Sequence, residues 1–164
     1  MHIGLIVGNF FSLCAVICIA ISVISKDKKR LIWWQTLDII FYILSNIVLL
    51  SYAGIVTNTI SLIRNILAYK NKLTKSMTWL LILLCFIVGV YVNNLGIIGY
   101  FAILASGSYT YFLYASKDKR QMLYALISNL MLWFVHDFYI QAYPAAITDV
   151  VLSLWAAYRL FKKS

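Results

Sequence analysis

Seven long apolar runs, separated by short polar breaks, constrain this chain more than any other feature. They cover residues 3–25, 31–51, 53–69, 77–93, 95–115, 122–141 and 143–161. A helix needs roughly 17–25 mostly apolar residues to cross the hydrocarbon core of a bilayer. The runs are continuously apolar, whereas the strands of a membrane barrel alternate apolar and polar residues. The pattern predicts an all-α integral membrane protein with seven transmembrane helices.

The composition argues against a water-soluble domain. Hydrophobic residues make up 63% of the 164 residues and charged residues 12%, against about 25% charged residues in a typical soluble domain. A chain this short cannot bury so much apolar surface away from water, so we expect a lipid bilayer around it. The net charge of +9 does not indicate nucleic-acid binding, because the basic residues form short clusters between the apolar runs rather than one basic face.

The breaks between the runs alternate in charge. Those after the first, third and fifth runs are basic (26–30, 70–75 and 117–120), and so is the C-terminal tail from Arg159. Those after the second, fourth and sixth runs carry no charge. Basic loops stay in the cytoplasm, so one orientation, with the N-terminus outside and the C-terminus inside, fits every basic segment. Removing any one helix would break this agreement, and we therefore predict seven helices rather than six.

The two halves of the chain show a weak internal repeat. Ser-Lys-Asp-Lys at 25–28 recurs at 116–119, and sliding the chain by 91 positions aligns 6–72 with 97–163 without a gap. We expect one transmembrane domain, 1–164, with three-helix repeats at about 3–72 and about 95–163 joined by a linker helix at about 77–93. A single linker helix gives both repeats the same orientation, about an axis along the membrane normal.

Polar residues within the runs are the candidates for a function, because such groups need a partner or a watery cavity in lipid. The repeat pairs Asn46 with Asp137 and Asn58 with Asp149. Each lies six positions from a predicted outer turn, about 9 Å deep at 1.5 Å per residue. One interpretation is a polar chamber near the outer surface that binds a cation, a hydroxyl-rich solute or a proton. The alternative is a set of interhelical hydrogen bonds. His136 is a further candidate for the chamber, with simple hydrogen bonding favoured over titration.

Asp38 and Arg64 form a second candidate pair, about 8–10 Å deep from the opposite side. The sequence predicts an intramembrane ion pair between the second and third helices, with a snorkelling Arg64 and an inner gate as alternatives. Trp133 and Trp155 also lie deep, and packing against lipid or other helices is favoured over lining a pore.

Enzyme, cofactor and metal signatures do not emerge from the sequence. The chain has no GxSxG, HExxH or P-loop segment. Its three cysteines, Cys14, Cys18 and Cys85, form no CxxC pair and have no companion histidine, which argues against zinc. We therefore expect no catalytic residues, no metal and no cofactor.

The segment 54–65 carries a pattern of small and polar residues. Gly54, Asn58, Arg64 and Asn65 form a Gly-x-x-x-Asn…Arg-Asn arrangement. The segment resembles that of the YgjV family of bacterial inner-membrane proteins, and the preceding lysine-rich loop, Gln35, the weaker second half and the total length are similar too. The resemblance covers nearly the whole chain and implies a multi-pass protein of the bacterial cytoplasmic membrane.

The YgjV family is in turn distantly similar to the SWEET and PQ-loop carriers and to PnuC-type vitamin transporters. This wider resemblance implies three-helix repeats around a linker helix and a small-solute carrier, without naming a substrate. Two departures bear on it. Ala145 follows Pro144, so the Pro-Gln hinge is absent, and Asp149 replaces a second Asn at the repeat position of Asn58. A rocking mechanism that depends on proline hinges is therefore in doubt.

Two functional hypotheses follow from these residues. The first is a facilitative or proton-linked carrier that binds a small polar solute between the repeats. The second is a non-transporting membrane scaffold or interaction protein, which predicts a tightly packed interior without a water-filled cavity.

Overall fold

The computed structural model describes residues 2–24, 28–116 and 119–162, so the basic segments at 25–27, 117–118 and 163–164 lie outside the described residues. The described residues form seven α-helices and no strand. The helices are α1 (His2–Ile24), α2 (Lys28–Val48), α3 (Tyr52–Tyr69), α4 (Lys75–Val92), α5 (Ile97–Ala115), α6 (Lys119–Tyr139) and α7 (Tyr143–Lys162). The predicted all-α fold is confirmed, and each boundary lies within about three residues of its predicted position.

Three of the described helices are long and apolar enough to cross a membrane, judged by length and composition. They contain the segments Ile3–Ser22, Lys75–Val92 and Ile97–Ala115. A shorter apolar segment, Ile32–Val48, lies in α2. The other helices are more polar for a structural reason: α2, α3, α6 and α7 each bury a charged side chain inside the bundle. These side chains are Asp38, Arg64, Asp137 and Asp149.

Six of the helices close into a ring. α1 packs on α2, α2 on α3, α3 on α5, α5 on α6, α6 on α7, and α7 back on α1. Helix α4 lies outside this ring, against α3 and α5. Short connections join successive helices, so each helix runs antiparallel to the one before it. The helix ends therefore meet at two faces of the bundle.

The two faces differ in charge. One, which we call the basic end, carries the exposed side chains Arg30, Lys70, Lys72, Lys75, Arg120, Arg159 and Lys162. The other, the uncharged end, is formed by the connections at 49–51, 93–96 and 140–142.

The distribution of polarity is inverted relative to a water-soluble protein. Large apolar side chains are exposed around the bundle, among them Ile3 (79%), Tyr91 (89%) and Phe161 (80%). Buried positions instead hold many hydroxyl, amide and charged groups. A broad apolar exterior around a polar interior suits a protein whose outer surface meets lipid.

The connection between α2 and α3 is a helix-ending turn that is pinned from elsewhere. Leu50 adopts a left-handed conformation (φ 57°), and the Ser51 amide donates to the Asn46 carbonyl (2.9 Å), as in a Schellman motif. Asn94, which precedes α5, donates its amide to the Leu50 carbonyl (2.6 Å) and accepts from the Tyr52 amide (3.0 Å).

The connection between α6 and α7 has the same geometry. Gln141 is left-handed (φ 63°), and the Ala142 amide donates to the Asp137 carbonyl (2.9 Å). Here Asn9 of α1 holds the turn, donating to the Gln141 carbonyl (2.9 Å) and accepting from the Tyr143 amide (3.0 Å). Each turn is thus held by an asparagine from the other half of the chain.

Candidate functional site

A cavity of about 340 Å³ lies inside the ring of six helices. All six contribute to its wall, and α4 contributes none of the lining residues. The polar lining comprises Ser22, Gln35, Asp38, Asn58, Ser61, Arg64, Asn65, Ser106, Asn129, Asp137, Thr148, Asp149 and Arg159. Four aromatic side chains also line the cavity: Tyr42, Tyr109, Trp133 and Trp155. The volume falls within the range of small-molecule sites, about 300–1,000 Å³.

The cavity reaches toward the basic end and stops short of the uncharged end. Arg159, near the end of α7, lines the cavity and is itself exposed. At the other end, Ser51, Asn46 and His136 are almost completely buried and are not part of the wall. The predicted chamber near the uncharged end is therefore displaced toward the middle and the basic end of the bundle.

Three of the five predicted chamber residues line the cavity: Asn58, Asp137 and Asp149. Asn46 does not. Its side chain donates to the Tyr42 carbonyl of its own helix (2.8 Å) and packs against the backbone of Gly54 in α3. The absence of a side chain at Gly54 leaves the space that Asn46 occupies, so Asn46 belongs to the α2–α3 contact.

His136 lies behind the cavity wall and is fully buried. Its Nδ1 lies 2.7 Å from Asp137 Oδ1, and its Nε2 lies 2.8 Å from Ser51 Oγ. The Ser51 hydroxyl also accepts from the Gly54 amide (3.2 Å). In the neutral ring, Nδ1 donating to the carboxylate leaves Nε2 to accept from the Ser51 hydroxyl. The histidine therefore orients one oxygen of Asp137 and links α6 to the start of α3.

Asp38 and Arg64 line the same cavity but do not form the predicted ion pair. The Arg64 guanidinium donates to Asn65 Oδ1 (3.2 and 3.3 Å) and Thr110 Oγ1 (3.3 Å) and lies 5.1 Å from the Tyr109 ring centroid. Contacts with α5 therefore hold this side chain. Sequence spacing could place Asp38 and Arg64 at one depth, but it could not show which neighbour Arg64 faces.

Two of the three carboxylates in the wall have one oxygen without a hydrogen-bond partner. Asp38 Oδ1 and Asp149 Oδ2 are buried without one, whereas Asp137 is bonded to His136. Asp38 and Asp149 are each 7% exposed. A buried polar oxygen without a partner is unfavourable, so these two atoms mark the part of the wall where a bound group would gain most.

Many lining residues are related by the 91-position offset of the predicted repeat. Seven pairs of lining residues are separated by 91 positions: Gln35 and Leu126, Asp38 and Asn129, Ile39 and Leu130, Tyr42 and Trp133, Asn58 and Asp149, Ser61 and Leu152, and Arg64 and Trp155. The members of several pairs differ in chemistry, as Arg64 and Trp155 do.

Several lining residues were not predicted. Trp133 and Trp155 were assigned to packing, yet both line the cavity. Arg159 was counted among the tail charges, but it lies over the Trp155 ring (4.5 Å to the centroid). The 91-residue offset was an available signal for Trp155, which lies 91 positions after the candidate Arg64.

A family model, Imp-YgjV, described as a bacterial inner membrane protein, matches residues 6–164. No curated protein and no solved structure matches the chain.

Proposed function

The chain belongs to the Imp-YgjV family of bacterial inner membrane proteins, and from this premise we propose that it is a seven-span carrier for a small polar solute. The observation that supports this proposal most directly is the cavity of about 340 Å³, which six helices enclose and charged and amide groups line. Polar and ionisable groups inside a membrane bundle are costly to keep, and they commonly mark a solute or ion pathway.

The orientation in this proposal follows from charge. The exposed Arg and Lys side chains that define the basic end would lie in the cytoplasm by the positive-inside rule. The N-terminus then lies outside and the C-terminus inside. The cavity would be open toward the cytoplasm and closed toward the periplasm.

The movement in this proposal is a rocking of two parallel three-helix repeats about the cavity. The seven equivalent lining positions and the matching turns support the repeat. At the uncharged end, the two halves are joined by Asn9, by Asn94 and by the bond between Ser51 and His136. Opening toward the periplasm would break these bonds and form others at the basic end.

A packed, non-transporting scaffold is the competing hypothesis. It predicts an interior without a water-filled space, and the cavity does not favour it. The chain has no paired Pro-Gln hinge, so the rocking we propose depends on sliding at the α3–α5 and α7–α1 contacts rather than on proline kinks.

Thiol labelling of membrane vesicles tests whether the cavity is open to water. In a background without Cys14, Cys18 and Cys85, we expect Asp149→Cys to react with an impermeant reagent in inverted vesicles. The control is Val151→Cys on the same helix, whose parent side chain is 58% exposed on the bundle exterior and should face lipid. Equal silence of both variants would favour the packed scaffold.

Uptake into liposomes containing the purified chain tests transport itself. Labelled glucose, uridine and putrescine serve as probes of neutral, nucleoside and cationic solutes. For any probe that enters, the double variant Asp137→Asn/Asp149→Asn should abolish uptake, because both carboxylates face the cavity. Thr59→Ala, on the exposed face of α3, should leave uptake unchanged. Undiminished flux in the double variant would contradict the site.

A further inference from the structure

The cavity wall carries an excess of negative groups. Asp38, Asp137 and Asp149 approach it from α2, α6 and α7. All three carboxylates line the same cavity as Tyr42. Two of them present an oxygen that is buried and has no hydrogen-bond partner.

Among the described residues, neither arginine of the cavity wall forms an ion pair with these carboxylates, and Asp137 alone has a basic partner, His136. Arg64 is held by Asn65, Thr110 and the Tyr109 ring on the α3–α5 side. Arg159 lies over Trp155 at the basic end and is exposed. Uncompensated carboxylates in a low-dielectric site favour either a bound proton or a bound positive charge.

A single metal ion does not fit the arrangement. Among the described residues, no three His, Cys, Asp or Glu side chains are close enough together to hold one. A larger organic cation, by contrast, can reach carboxylates on different helices. A cavity of about 340 Å³ has room for a small organic molecule.

Two aromatic rings of the cavity wall also suit a bound organic cation. Tyr42 and Trp133 occupy equivalent positions in the two halves and both line the cavity. Faces of Trp and Tyr attract ammonium and guanidinium groups, and they also accept the apolar body of an alkyl chain. Carboxylates beside aromatic rings thus provide both parts of a site for an amine.

We propose that the cavity binds a small organic cation, a primary amine or a guanidine, whose charged group lies between Asp38 and Asp149 and whose alkyl part lies against Tyr42 and Trp133. The assignment of this ligand as the transported solute rests on the proposed carrier function. Its binding in the cavity does not.

Thermal unfolding of the purified full-length chain in detergent, near neutral pH, tests the proposal. Putrescine and agmatine should raise the unfolding midpoint in a saturable manner. Butanediol, which matches putrescine in length without its charge, and succinate, which reverses the charge, should leave the midpoint unchanged. Equal responses to butanediol or succinate would overturn the proposal, and so would no response to either amine at millimolar concentration.

Substitutions of the two aspartates test whether the ligand binds within the cavity. Asp38→Asn and Asp149→Asn keep the shape of each side chain and remove its charge, and each should weaken amine binding about tenfold or more, because hydrogen bonds to charged groups are the strong ones. Thr59→Ala should bind amines like the unsubstituted chain. Wild-type affinity in both Asn variants would place the amines elsewhere and overturn the site. If either variant does not fold, quenching of Trp133 fluorescence by the amines, judged against Trp133→Phe, decides the same question.

The two proposals can fail separately. Uptake of glucose or uridine without any amine binding would support the carrier function and contradict the proposal that the cavity binds an organic cation. Amine binding that depends on Asp38 and Asp149, without uptake of any probe into liposomes, would support the organic-cation site and contradict the carrier function.

Discussion

Individual buried side chains in this bundle depend on gaps that only the folded structure reveals. Gly54 is such a position. A Cβ built there would lie against Asn46 Oδ1 and 2.7 Å from Ser51 Oγ. Ser51 is already committed to the Gly54 amide and to His136. Moving either neighbour would therefore disturb the contact between α2 and α3 and the support of Asp137.

At the residue scale, we predict that Gly54→Ala destabilises the protein by about 1–3 kcal/mol, the usual cost of overpacking, despite the better helix propensity of alanine. Gly4→Ala is the matched control, because its Cβ would meet Val48 at 3.9 Å, an ordinary contact. Thermal unfolding in detergent measures both. A midpoint for Gly54→Ala at or above that of Gly4→Ala would contradict the packing described.

Helix ends are the features that recur most clearly at the scale of elements. α2 and α6 both end in a turn with a left-handed residue, Leu50 or Gln141, and α3 ends similarly at Asn71 (φ 54°). Neither leucine nor glutamine favours that conformation, whereas glycine adopts it freely. The turns are therefore strained locally and are held by the asparagines Asn94 and Asn9.

We predict that Leu50→Gly raises the stability by up to about 1 kcal/mol, because glycine removes the left-handed strain and Leu50 is 60% exposed, with little packing to lose. Leu80→Gly is the control: it lies inside α4 and is 48% exposed. There glycine should cost roughly 1 kcal/mol. The same substitution should thus shift the unfolding midpoint in opposite directions, and a fall at both positions would refute the argument.

For the whole molecule, the decisive property is which end faces the cytoplasm. We predict that Lys72→Cys and Arg120→Cys, in a background without native cysteines, react with an impermeant thiol reagent only in inverted vesicles. Gln141→Cys at the uncharged end should react only in right-side-out vesicles. The physical reason is the retention of basic loops in the cytoplasm. Labelling of Lys72→Cys from the periplasm would reverse the topology and the direction in which the cavity opens.

Much of the architecture could be read without coordinates. The apolar runs predicted seven helices to within about three residues of their bounds, because continuous apolar segments of membrane length have few alternatives to a helix. Membership of a bacterial inner-membrane family followed from the residues around Gly54 and Arg64, and the family match over residues 6–164 confirms it. The structure also places Asn58, Asp137 and Asp149, three of the candidate residues, in the wall of one cavity.

Tertiary structure alone decided which polar groups meet. Sequence gives the depth of a residue along its helix, but the direction of a side chain depends on helix rotation and tilt, which packing sets. Arg64 therefore turned toward Thr110 and Tyr109 instead of Asp38, and Asn46 turned toward Gly54 instead of the cavity. The tryptophans at 133 and 155 entered the wall for the same reason. The order of apolar segments determines that seven helices form, whereas the ring closed by α7 on α1 determines that six of them enclose a cavity.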